Sequence, residues 1–166
     1  MENIQSRGDV RSRSESERAG LRSSLQLRLA PNEQTDVRCD GCTECCRSGQ
    51  GLVLHPELGD DVGSYEHRVA GQGADGKPVF LLAANESGRC VYLGRSGCTI
   101  YERRPYLCRS FDCRKYYLML PRQDRDNLVR LGLSSRAVFN AGRARVKTLS
   151  AEERDECGKV REEYFG

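Results

Sequence analysis

Apolar residues are unevenly spread along the 166-residue chain, and their spacing divides it into three. Up to about residue 30 they are sparse, and only LRSSLQLRLA sets Leu21, Leu25 and Leu29 at four-residue intervals on one helical face. So narrow an apolar stripe predicts a flexible, solvated tail over residues 1–35 whose end, residues 21–29, is transiently helical. The middle of the chain carries strand and turn signals. GLVLH reads as a short strand, and the proline of HPEL marks the start of a turn or helix. Residues 78–83 (PVFLLA) and 89–93 (RCVYL) read as the two strands of a hairpin, joined by the turn-forming NESG and followed by a second turn, GRSG.

Helical signals follow. Thr99 and Glu102 have the spacing of a capping box and predict a helical turn directly after Cys98, which Pro105 interrupts. The segment PYLCRSFDCRKYYLML resumes in helical form until Pro121. Ser150 and Glu153 repeat the capping-box spacing and open a charged helix that runs to the C-terminus. The expected architecture is α+β: a small metal-stabilised, cysteine-rich domain over residues 36–120, with a short β-hairpin and several helices, and a helical extension over residues 121–166.

Composition explains why a metal enters the argument. Hydrophobic residues make up 37% of the chain and tryptophan is absent. A core built from so little apolar surface is thin and needs a supplement. Nine cysteines offer one. No stretch approaches the ~20 apolar residues of a membrane span, and the N-terminus has no signal-peptide core, so the chain reads as cytoplasmic with no membrane partner. In a reducing compartment clustered cysteines bind metal or do redox chemistry rather than form disulfides. A net charge of +3 is too mild for a dedicated nucleic-acid binder.

The cysteines follow ligand spacing. In VRCDGCTECCRSG, Cys39, Cys42 and Cys45 are three residues apart, so the turn between successive thiolates lets them converge on one metal; Gly41 supplies the positive φ such a knuckle often needs. The same triplet matches the leading ligands of a four-iron four-sulfur site. Cys46 follows at once, and neighbouring side chains point apart, so the pair implies two centres or a bridging thiolate. With Cys90, Cys98, Cys108 and Cys113 the count reaches eight, enough for two four-thiolate centres; one centre with four spare thiols fits the count as well. Arg103, Arg104, Arg109 and Arg114 are interleaved with the later cysteines, placed to hydrogen-bond sulfur or to lie solvated. Tyr101, Tyr106 and Asp112 are close in sequence and read as packing and capping groups. His55 and His67 are isolated, and Cys157 stands far from the other eight.

Taken jointly, CDGCTECC, GRCVYL and GCTIYERRPYLCRSFDC resemble the YkgJ-like cysteine-cluster family of zinc- or iron-chelating domains, marked by Cys-x2-Cys-x2-Cys-Cys and by Gly-Cys-x-Ile-Tyr-x-x-Arg-Pro-x-x-Cys-Arg-x-Phe. The likeness covers residues 37–116. It implies a metal-chelating domain with Cys39, Cys42, Cys45, Cys46, Cys90, Cys98, Cys108 and Cys113 as ligand candidates and zinc, iron or a four-iron four-sulfur cluster as cofactor, in one or two centres. One branch, the flagellin lysine methylases, resembles iron–sulfur enzymes that use S-adenosylmethionine; this chain is much shorter and has no Gly-rich cofactor loop, so that activity is not carried over. Three functions follow: a metal-binding module, an iron- or iron–sulfur-dependent enzyme or subunit that modifies a peptide or protein side chain, and an adaptor that binds a protein partner through its C-terminal helix.

Overall fold

The computed structural model describes residues 14–29, 37–48 and 51–166, so most of the expected tail lies outside the described residues. Helix α1 (Glu15–Leu29) has its own reciprocal cap: Ser14 N–H donates to Glu17 Oε2 (2.8 Å) and Glu17 N–H to Ser14 Oγ (3.3 Å). Its acidic first turn complements the helix dipole. Against the expectation of a solvated end, α1 is docked. Ser16, Ala19 and Ser23 are buried, and Leu21 and Leu25 pack on the main core. Arg22 is driven into the interior, donating from Nε to the Leu133 carbonyl (3.0 Å), from Nη1 to Gly51 (3.2 Å) and from Nη2 to Gly132 (3.2 Å). Glu15 pairs with Arg68 at the surface. The docking is polar, which explains why apolar periodicity underrates it.

The β part differs from the expected hairpin. Strand β2 (Pro78–Leu82) pairs antiparallel with β1 (His67–Gln72), His67 opposite Leu82 and Val69 opposite Phe80, with an irregularity between Val69 and Gln72. Gly71 lies in that irregularity at φ +127°, a conformation that favours glycine. GLVLH lies on the other edge of β2: Val53 bridges Leu81, and Leu54 N–H and Leu82 N–H bond the carbonyls of Phe80 and Leu52. The 89–93 stretch, expected to pair with 78–83, adds only an Ala84–Cys90 bridge; Leu93 instead turns back through GRSG as β3 (Leu93–Gly94) onto β4 (Gly97–Cys98). The reason is legible in β1, whose residues are exposed or half-buried, so HRVAGQ shows no alternation for a reader to detect.

After Cys98 the turn is a 3₁₀ segment at Tyr101–Arg103 without a side-chain cap. Thr99 spends its hydroxyl on the Tyr92 carbonyl (3.1 Å), so the expected capping box does not form. Helices α3 (Tyr106–Ser110) and α4 (Cys113–Met119) divide PYLCRSFDCRKYYLML at Phe111–Asp112, where Asp112 caps α4. Helix α5 (Arg122–Arg130) starts after Pro121, α6 (Arg136–Arg145) is capped by Ser135, and α7 (Ala151–Phe165) carries both halves of the Ser150–Glu153 capping box. Helices α4, α6 and α7 enclose a core of Tyr116, Met119, Leu120, Leu128, Leu133, Phe139 and Cys157. Tyr116 stacks on Phe139 at 5.4 Å. Gly142 of α6 lies against the Cys113 carbonyl, where a Cβ would come within 2.2 Å, so glycine sets the α4–α6 approach. Seven α-helices and short antiparallel pairs among the described residues make the fold α+β. None of these helices is long and apolar enough to cross a membrane.

Candidate metal centre

The cysteine-rich run opens as a tight turn. Asp40 (φ +45°) and Gly41 (φ +80°) both adopt left-handed backbone, and Cys42 N–H returns to the Cys39 carbonyl at 2.8 Å. Aspartate tolerates this region better than most residues, and Arg145 of α6 holds its carboxylate at 3.1 Å. The chain then makes one helical turn, α2 (Glu44–Arg47), which carries Cys45 and Cys46. At about 100° per residue, consecutive side chains on that turn diverge.

The later cysteines arrive from four directions. Cys90 N–H donates to the Cys46 carbonyl (2.9 Å), tying the β bridge to α2. Cys98 ends β4, Cys108 lies within α3, and Cys113 is the first residue of α4. Cys39, Cys42, Cys45, Cys46, Cys90, Cys98 and Cys108 line one cavity of about 740 Å³, whose walls also include Leu82, Ile100, Tyr101, Arg104 and Phe111. Cys113 is not among the lining residues, but it acts electrostatically on Cys45 and feels Cys42. Among the described residues no three or more Cys, His, Asp or Glu side chains are closed to the spacing of one metal ion; the thiols ring a cavity rather than a point. Cys157 is elsewhere, in the helical core.

Burial favours the protonated form of six of these thiols. It pushes Cys45 and Cys108 well above the ordinary range, Cys46 up to about 12 and Cys113 to about 11, and it raises Cys39 and Cys90. Cys45 is accessible to solvent yet surrounded by protein, because the surface it exposes faces the cavity. After burial, the thiols raise one another. Cys45 is raised first by Cys113, then by Cys46, Cys42 and Cys39, and Cys113 among the thiols by Cys42; Cys46 is raised first by Cys90 and Cys98, then by Cys39 and Cys42, and Cys108 by Cys46, Cys90 and Cys98. The adjacent pair thus has different leading neighbours within one shared group of thiols. Crowded thiols that resist ionisation alone become good ligands once a cation offsets their charge, and binding then releases protons.

Of the four interleaved arginines, Arg104 reaches a sulfur: Nη1 lies 3.4 Å from Cys39 Sγ. Arg103 Nη1 approaches the Ser64 carbonyl, Arg109 Nε donates to the Arg104 carbonyl, and Arg114 pairs with Asp112 and donates to Thr148 Oγ1. Tyr101 Oη accepts from Cys39 N–H (3.3 Å), and Tyr106 N–H donates to Asp60 Oδ1 (2.7 Å). His67 is exposed and edge-on to Phe80. His55 is buried in a chain that sequence reading missed: Nε2 shares a 2.6 Å hydrogen bond with Ser23 Oγ, and Nδ1 one with Glu57 Oε1. Ser23 is 3% exposed on the inner face of α1, so this Ser–His–Glu chain seats the helix instead of presenting a nucleophile.

Fold and site together define a small α+β cysteine-cluster domain whose thiols converge from across the chain. The chain belongs to the CxxCxxCC family, described as "Putative zinc- or iron-chelating domain", which matches residues 38–127. No curated protein and no solved structure matches it.

Proposed function

We propose that the chain chelates two metal ions through two four-cysteine centres, Cys39, Cys42, Cys45 and Cys113 in one and Cys46, Cys90, Cys98 and Cys108 in the other. The observation that carries this reading is that Cys45 and Cys46 diverge from one helical turn, with Cys113 the leading thiol neighbour of Cys45 and Cys90 that of Cys46. The donor set fits the group: thiols alone are soft ligands suited to zinc or iron, and no histidine or free carboxylate is needed to complete either set. A bound metal supplies a cross-link between α2 and the segments that carry the later cysteines. The chain's own residues prepare for it. The Asp40–Gly41 turn brings Cys42 back against Cys39, the Cys90–Cys46 backbone bond ties Cys90 to α2, and Asp112 caps the start of α4 at Cys113.

A second reading, an iron- or iron–sulfur-dependent enzyme or subunit acting on a peptide or protein side chain, rests on cavity size. At about 740 Å³ the cavity greatly exceeds two ions, since even a water occupies only about 30 Å³, so it has room for a cluster or for a ligand at an open coordination position. Metal content and visible spectrum of anaerobically purified protein separate the two. About two zinc ions per chain and no colour support the chelating scaffold; a brown protein containing iron and sulfide supports the cluster. Cys46→Ser then tests the assignment, with loss of one metal equivalent and retention of the other as the expected result.

A further inference from the structure

Arg104 is 4% exposed, yet it is the residue on which the two cysteine sets meet. Its Nη1 donates toward Cys39 Sγ (3.4 Å), the Val37 carbonyl (3.2 Å) and the Cys108 carbonyl (3.4 Å), while Nε donates to the Tyr101 carbonyl (2.9 Å). The guanidinium lies over the Tyr101 ring at 3.8 Å, and the same tyrosine accepts the Cys39 N–H through its hydroxyl. Val37 N–H closes the stitch on the Arg109 carbonyl at 2.7 Å. One planar cation therefore touches the sulfur of a first-run cysteine, the backbone of a downstream cysteine and the aromatic that orients the first.

Building eight thiolates in one small volume concentrates negative charge that two divalent ions leave half uncompensated. A guanidinium inside that volume lowers the charge where it is greatest, and its fixed fork can hold several acceptors while keeping its own charge. We propose that Arg104 is a positioning residue for the metal centres, donating to the Cys39 thiolate as its counter-charge and holding the Cys39 turn against the Cys108 helix so that both sets form in register. This rests on the two-centre reading, and its role is distinct from ligation, because no nitrogen of Arg104 binds the metal. Groups that touch a ligand from behind typically change metal affinity 10–100-fold.

The test is a competition titration of wild type, Arg104→Lys and Arg104→Gln with zinc against a chromophoric chelator, with cobalt(II) as a second probe whose visible bands report thiolate geometry. Two equivalents are expected for all three proteins. The affinity of the equivalent bound by the Cys39 set should fall roughly 10–100-fold in Arg104→Gln and less in Arg104→Lys, which restores charge without the fork, with altered cobalt bands in both. Wild-type affinity for both equivalents and unchanged bands in Arg104→Gln would overturn the proposal. Should Arg104→Gln lose its helical circular dichroism, Arg104→Lys alone decides, on the same affinity and bands. A wild-type chain that binds one equivalent defeats the two-centre reading instead, and the affinity of that equivalent still tests Arg104.

Discussion

The helical half and the cysteine half are built on different terms. In the first, seven buried side chains from Tyr116 to Cys157 form one cluster, with Leu21, Leu25, Phe111 and Val160 packed around it. In the second, the corresponding cluster is three residues, Ala19, Val53 and Leu81, and the interior beside it is a cavity ringed by thiols. The first half removes enough apolar surface from water to be held by packing. The second buries Leu54, Leu82, Ile100 and Leu107 outside that cluster and is held further by backbone hydrogen bonds, by Arg104 and Arg22, and, in our reading, by metal, which in small thiolate domains contributes about 10–16 kcal/mol. Little apolar surface in a domain signals that something else stabilises it.

Four substitutions or titrations break or sharpen this contrast. Cys46→Ser should have the largest effect and confine it to the cysteine half: one metal equivalent lost, and thermal unfolding that becomes biphasic as that half melts first. Phe139→Ala removes the ring stacked on Tyr116 and should cost about 3–5 kcal/mol in denaturant melts, with metal content unchanged; altered metal content would show that the halves are not separable. Arg22→Met leaves three carbonyls from both halves without their donor and should cost about 1–3 kcal/mol, with faster proteolysis within α1 as the readout.

The smallest effect is a pH dependence at Cys157, whose thiol burial lifts to about 11 from the ordinary 9.0. The unfolded chain loses that proton first, so between pH 9 and 11 the folded state holds more protons and its stability falls as pH rises. Cys157→Ala should flatten that part of the alkaline stability profile relative to wild type; an identical slope contradicts the burial argument.

Local signals were legible in the sequence. The Ser150–Glu153 box forms as spaced, Pro105 and Pro121 stand where helical segments stop, and the Cys39–Cys42 turn bends through Gly41. Where the reading failed, the deciding partner was distant. Thr99 met the Tyr92 carbonyl before it could cap, and 78–83 paired with a strand too polar to show alternation. The docking of α1 depended on where the Arg22 guanidinium and the Ser23 hydroxyl land, which helical periodicity does not record. For the site, spacing singled out the eight thiols and the adjacency of Cys45 and Cys46 suggested two centres, but which later cysteine lies nearest each and the reach of Arg104 to Cys39 depend on the fold.

The central claim is that one half stands on packing and the other on metal. Residue-resolved hydrogen exchange of the full chain, metal-loaded and after exhaustive chelation, measures it directly. Chelation should strip protection from residues 37–108, including the Cys42 and Cys90 amides, while α4, α6 and α7 keep theirs; protection that survives chelation throughout residues 37–108 contradicts the account.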